Sequence, residues 1–332
     1  MTTNRRYTLA ARPEGLPRAS DFRLDEQPVR EPADGELLIK MKYISLDPAM
    51  RGWMRDVRSY VAPVAIGDVM RALAMGEVIA SKDPAFNPGD VVAGVFGVQE
   101  YATVPAKQAT KVLPVAPLPK FMSALGMQGL TAYFGLLDIG QPKSGETVVV
   151  SAAAGAVGSV AVQIAKLKGC RVVGIAGGPA KCEYVARELG ADAAIDYKGT
   201  SDLNAALREH CPKGVDIYFD NVGGDILDAV LTRLALHARV VLCGAISQYN
   251  VTGAMKGPAN YLSLLVNRAT MTGFVVSDFT AKFPAAIMEL VGWMTAGKLT
   301  SREQIEHGLD AFPSALVKLY TGENFGKLML EL

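Results

Sequence analysis

Up to about residue 120, apolar residues come in short runs between Pro and Gly turns. Leu37–Ile44 and Gly76–Ala80 read as strands, Asn87-Pro88-Gly89-Asp90 as a turn, and Val91–Phe96 as the strand after it. Such short strands predict a barrel-like domain. Pro114, Pro117 and Pro119 mark a change of texture, and Phe121–Asp138 then carries helix-compatible spacing broken by Gly126 and Gly129. From Glu146 onward, β-branched apolar runs alternate with helix-length segments. Thr147–Ser151, Cys170–Ala176, Ala193–Tyr197, Val215–Asp220 and Ala238–Gly244 predict strands; Ser159–Lys168 and Ala180–Leu189 predict helices, the second stopped by Gly190. Continuous apolar runs suit strands buried on both faces, so this half predicts an α/β fold with a doubly wound parallel sheet. The tail after Gly297 ends in Gly326–Leu332, a strand-like segment whose partner the pattern alone leaves open.

Composition narrows the function. A chain of 332 residues, half of them apolar, has material for two cores. The net charge of +1 gives no reason to expect a nucleic-acid or anionic-membrane partner. Arg51, Arg55 and Arg58 cluster locally, and a solvated face is the plainer reading than an anion site. Cys170, Cys182, Cys211 and Cys243 are scattered, which suits free thiols in a reducing compartment. No secretory leader pattern and no apolar run of ~20 residues is visible, so a cytoplasmic protein is expected.

The strongest chemical signal is Ser151-Ala-Ala-Ala-Gly155-Ala156-Val157-Gly158-Ser159, between a strand and a helix. A helix N-terminus presents unpaired N–H groups and partial positive charge, and small residues let backbone approach a pyrophosphate. Ala153 occupies the first glycine position of the usual fingerprint. Such a pattern alone can be purely structural; its strand–turn–helix setting favours dinucleotide binding. The next strand runs into Gly177-Gly178-Pro179-Ala180-Lys181 with no carboxylate where an NAD-specific fold would bind the ribose 2′-hydroxyl. Open N–H groups and the Lys181 ammonium suit a 2′-phosphate instead, so NADP(H) is the expected cofactor. No Cys or His precedes Cys170, and His210, His237 and His307 share no ligand spacing, so no metal site is expected.

Together with Ser45–Gly52, Gly126–Leu137, Tyr218–Gly224 and Cys243–Asn250, these residues resemble the zinc-free medium-chain dehydrogenase/reductase family. The likeness covers essentially the whole chain and is nearest to the prostaglandin reductase (leukotriene B4 12-hydroxydehydrogenase-like) and bacterial curcumin reductase group. It implies a GroES-like β-barrel domain at 1–122 plus 297–332, a Rossmann NADP-binding domain at 123–296, an active site in the cleft between them, and a homodimer. It also implies roles for residues. Lys181 and Tyr197, with Gly177, would face the 2′-phosphate, and Asn221 the nicotinamide half. Gly244, Ile246, Phe274, Val276, Asn324 and Gly326 would line the cofactor cleft, and Tyr249 and Tyr60 would flank the substrate.

The implied reaction is reduction of the C=C bond of an enone or enal. Hydride would add at the β-carbon while a tyrosine hydroxyl and the nicotinamide ribose donate to the carbonyl oxygen. The alternative to each tyrosine's role is a packed aromatic with a satisfied hydroxyl. Two departures from the family stand out. Met127-Gln128-Gly129 lacks the usual proline, and Ala72-Leu73-Ala74-Met75 stands where the family runs glycines, which would reshape the substrate pocket. Two other readings stay open: NADPH-dependent quinone reduction, and a dinucleotide-binding protein without catalysis.

Overall fold

The computed structural model describes residues 2–255 and 257–332. In chain order the strands are β1 Thr3–Leu9, β2 Phe22–Pro28, β3 Glu36–Ser45, β4 Leu73–Ser81, β5 Val91–Val95, β6 Tyr101–Pro105 and β7 Thr110–Lys111. There follow β8 Thr147–Ser151, β9 Arg171–Ala176, β10 Ala193–Asp196, β11 Val215–Asp220, β12 Leu234–Leu242, β13 Thr270–Gly273, β14 Glu303–His307 and β15 Lys327–Glu331. The chain divides into two compact units, one running up to Met122 and resuming at Glu303–Leu332, the other Ser123–Arg302.

The first unit is built on a seven-stranded sheet in the order β14-β15-β3-β4-β5-β7, with β6 on β3, and a β1–β2 hairpin. The tail strand does return: β15 pairs antiparallel with the end of β3, Met329 opposite Ser45 and Glu331 opposite Tyr43. Alternating positions on β3 and β4 send Leu37, Ile39, Met41, Ile44, Ala74 and Val78 into the core. Ala72 and Ala74 fill that core and Met75 a smaller cluster with Met122 and Met329. Three of the four residues expected to reshape a pocket therefore serve packing instead. Arg51 also departs from expectation: it is buried, and its guanidinium donates to the carbonyls of Pro13 and Gly15 at 2.9 and 3.1 Å. It ties down an N-terminal loop, where a solvated face was expected.

The second unit holds a six-stranded, all-parallel sheet in the order β10-β9-β8-β11-β12-β13. Numbered from β8 this is the doubly wound 3-2-1-4-5-6 order, whose direction of winding reverses between β8 and β11. Val148–Val150 and Ile217–Phe219 are fully buried, as continuous apolar runs require. The helix after β8 begins at Ala156, three residues before the expected start, because Gly158 lies inside its first turn. The expected Phe121–Asp138 helix is really Leu118–Phe121, Met127–Phe134 and a π-helical turn over Gly135–Gly140. Gly129 is obligatory there, since a Cβ would lie 1.8 Å from the Ala124 carbonyl oxygen.

Candidate active site

In a doubly wound sheet, ligands bind beyond the carboxyl ends of the strands at the winding reversal. Here those ends are Ser151 on β8 and Asp220 on β11. The turn after Ser151 is built of small residues for steric reasons. A Cβ on Gly158 would sit 2.2 Å from the Ala152 carbonyl oxygen, and one on Gly155 would sit 3.1 Å from it. Ala152 takes φ +48°, the left-handed region that side chains usually avoid. Gly155 precedes the Ala156–Leu167 helix, and among the described residues no side chain caps the start of that helix. Gly155, Ala156 and Val157 are half-exposed, whereas Gly158 is buried beneath them. An uncapped helix N-terminus behind an accessible small-residue turn fits a pyrophosphate.

The second element forms beyond β9. Gly177 lies against the ring of Tyr197, whose Cε1 would be 2.9 Å from an added Cβ, and against Lys198, whose Cε would be 3.1 Å away. Lys181 stands on the Pro179–Arg187 helix. Burial first, and then the charge of Lys198, hold its ammonium below the usual lysine range. A carboxylate also reaches this turn: Asp196 at the end of β10 accepts from the N–H groups of Gly178 at 2.7 Å and Lys198 at 3.0 Å. The Gly178 N–H expected to be open is therefore engaged. Those backbone bonds, the Gly178 bond foremost, hold the Asp196 carboxyl below its ordinary range. Two lysines, Lys181 and Lys198, against one carboxylate, Asp196, make these three side chains together cationic. The sequence reading missed Asp196 and Lys198, which are 18 to 21 residues beyond Gly177 and Gly178; the pairing of β10 with β9 brings them here.

The third element gathers at the end of β11. Asn221 donates from its backbone to Ser151 Oγ at 2.9 Å and from Nδ2 to the Ser151 carbonyl at 2.7 Å. Its own carbonyl receives the Ile246 N–H. Gly244 and Ile246 lie in the turn after β12, and Tyr249 closes it, its hydroxyl oxygen accepting the Ala245 N–H at 3.2 Å. Phe274 packs edge-on against Phe279, with its ring against Gly135, and Val276 follows it, half-buried. Within the second unit, Ser151, Asn221, Gly244, Ile246 and Tyr249 thus form one bonded group.

Three candidates belong to the first unit. Tyr60 is 59% exposed, on an irregular segment, with its hydroxyl oxygen near Trp53 Nε1 at 3.4 Å. Asn324 donates to the Gly326 carbonyl at 3.2 Å, and Gly326 is buried at φ +73°. Burial disfavours the thiolate form of the cysteines, pushing Cys170 and Cys211 up to about 11 and Cys243 up to about 12, with Cys182 raised in the same way.

Family models match at residues 5–112, described as the N-terminal domain of oxidoreductase, and at 156–292, described as zinc-binding dehydrogenase. The NADPH-dependent curcumin reductase of Escherichia coli (strain K12) is 42% identical over 99% of this chain and 97% of its own. The chain belongs to the medium-chain dehydrogenase/reductase family. Another member, the NADP(+)-dependent 2-alkenal reductase of Nicotiana tabacum, is 39% identical over 98% of this chain and 96% of its own. The crystal structure of CurA from Vibrio vulnificus in complex with NADPH superposes with a TM-score of 0.93, at 42% identity and 98% coverage of both chains. Despite the wording of the second family model, the donor set does not fit zinc. Among the described residues, no group of three or more His, Cys, Asp and Glu is placed to hold a metal ion.

Proposed function

We infer that this medium-chain dehydrogenase/reductase is an NADPH-dependent reductase of activated C=C bonds in α,β-unsaturated ketones and aldehydes. The observation that carries it is the cationic Gly177–Lys181–Lys198 cluster beside an uncapped glycine turn, in a chain 42% and 39% identical to a curcumin reductase and a 2-alkenal reductase. The residues fit NADPH: Gly155–Gly158 would hold the pyrophosphate, Lys181, Lys198 and Tyr197 the 2′-phosphate, and Asn221 the nicotinamide half. Gly244, Ile246, Phe274 and Val276 would line the cofactor's path. Bound NADPH would supply a hydride to the β-carbon, and the enolate so formed would take a proton at the α-carbon from water or through a tyrosine. The Tyr249 hydroxyl would donate to the oxygen on which charge develops. The N–H bond it accepts from Ala245 polarises its own O–H and makes it a stronger donor. Tyr60 is proposed as a second hydroxyl facing substrate. NADPH oxidation measured with nonenal, with a prostaglandin-like enone and with a simple quinone tests the reading. Turnover of the quinone alone would overturn it.

Two substitutions probe the roles. Lys181→Ala should raise KM for NADPH about tenfold or more while NADH kinetics barely move, as for loss of a charge-assisted contact. An unchanged NADPH/NADH preference would remove Lys181 from the 2′-phosphate site. Tyr249→Phe should lower kcat about tenfold or more with less effect on NADPH binding. Full activity would exclude its hydroxyl from the chemistry.

We also propose that the protein is a homodimer joined through β13. That strand is one of the two edges of the parallel sheet, β10 being the other. Beside it Leu265 and Val266 are 75% and 70% exposed. A bare edge next to an apolar patch favours pairing with a second copy. Sedimentation should give twice the chain mass, and Leu265→Glu with Val266→Glu should return the monomer; a wild-type monomer would refute the proposal. Among the described residues, no helix is long and apolar enough to cross a membrane.

A further inference from the structure

Asp220 ends β11 fully buried, where the neighbouring strand residues are apolar. Burying a carboxyl at a strand end is costly unless its bonds are made. One oxygen makes them all. Oδ1 accepts from the Tyr218 hydroxyl at 2.8 Å, from the Val222 and Gly223 N–H groups at 2.9 Å each, and from Ser151 Oγ at 3.2 Å. Oδ2 is equally buried and has no hydrogen-bond partner among the described residues. The backbone carbonyl of Asp220 accepts from Cys243 and Gly244 at 2.9 and 3.0 Å.

Apart from Tyr218, these donors belong to segments that carry candidate site residues. Ser151, held by Asp220, accepts the Asn221 N–H and side-chain amide. Val222, held by Asp220, accepts both the N–H and the hydroxyl of Ser247, at 3.2 and 2.7 Å. The turn from Gly244 to Tyr249 is thereby fastened to Asp220 from two sides, at Gly244 through the backbone carbonyl and at Ser247 through Val222 and the carboxylate. Burial raises the Asp220 carboxyl's pKa against the pull of these donors.

We propose that Asp220 is a positioning residue of the hydride-transfer site. Without touching cofactor or substrate, it holds Asn221 and the Gly244–Tyr249 turn in register at the end of β11. This rests on the NADPH reading above. Asp220→Asn keeps one oxygen for the four donors but removes the charge that shortens and aligns them. Ser151→Ala leaves the carboxylate in place and removes the hydroxyl through which it holds the Asn221 N–H, while the Asn221 amide keeps the Ser151 carbonyl. The readouts are NADPH affinity by fluorescence quenching, kcat, and the thermal midpoint, in wild-type and Asn221→Ala backgrounds. Each variant should weaken NADPH binding and lower kcat by about tenfold, and in the Asn221→Ala background the further loss of affinity should be less than about twofold, since coupled residues do not add.

A merely structural role predicts a lower midpoint with unchanged affinity, or losses that multiply fully in the Asn221→Ala background; either outcome overturns the proposal. If Asp220→Asn does not fold, Ser151→Ala supplies the same comparison. Wild-type protein that fails to bind NADPH would sink the cofactor reading and this inference with it. Normal wild-type binding with both variants unaffected would sink this inference alone.

Discussion

Gly158→Ala is expected to weaken NADPH binding by about two orders of magnitude, a larger effect than the loss of any single side-chain contact. Alanine is the better helix former by about 1 kcal/mol, so propensity argues for the substitution. Geometry argues against it more strongly. The new methyl would lie 2.2 Å from the Ala152 carbonyl oxygen and 2.9 Å from its carbon, and both are backbone. A flexible side chain could rotate away; here the whole turn must swing. That turn is already held at an unfavourable φ at Ala152, so it has little slack. Isothermal titration with NADPH checks this, alongside circular dichroism to confirm that the parallel sheet is intact. Wild-type affinity in a folded variant would show that the Ala152–Gly158 turn is not the pyrophosphate site.

Lys327→Ala should lower stability by about 3–5 kcal/mol, as expected when one member of a buried ion pair is removed. Lys327 is 1% exposed; its ammonium donates to the Leu46 carbonyl at 2.7 Å and to Asp47 Oδ1 at 2.9 Å. Burial pulls the ammonium below its usual range, and the Asp47 carboxylate opposes that pull. In the variant, Asp47 would keep its Ser45 hydroxyl bond and lose its compensating positive charge. A unit of this size should then melt on the order of 10 °C lower. Replacing both members, Lys327→Met with Asp47→Asn, should restore part of the loss, because the uncompensated carboxylate is the dominant cost. Scanning calorimetry decides it; a shift of under about 2 °C would mean that the pair contributes little.

Much of the second unit was legible because its central strands are buried on both faces. The Val215–Asp220 strand was read to the residue for that reason. By contrast β13 escaped notice: Thr270–Gly273 lies at the sheet's edge with polar or small residues turned outward, so no apolar run marks it. The site was legible where neighbours in sequence are neighbours in space, as at Gly155–Gly158. It was illegible where sheet order makes the contact. Asp196 and Lys198 meet Gly177 and Gly178 only because β10 lies beside β9. Asp220 stood within a recognised run, yet its part as the hub joining Ser151, Asn221 and the Tyr249 turn depends on β8 and β11 being adjacent. Arg51 looked like a surface charge because its partners, the carbonyls of Pro13 and Gly15, carry no sequence signal.

The return of β15 to the edge of β3 bears on the order in which a ribosome delivers this protein. All of Ser123–Arg302 is made before β15 exists. The nucleotide-binding unit can therefore fold on emergence, while the segment of β3 from Tyr43 to Ser45 waits for the partner made last. During that interval the nascent chain exposes an unpaired edge, and also Asp47, whose counter-ion has yet to be synthesised. Premature release between Arg302 and Lys327 would leave a finished cofactor domain tethered to an unfinished sheet, a natural substrate for chaperones and proteases.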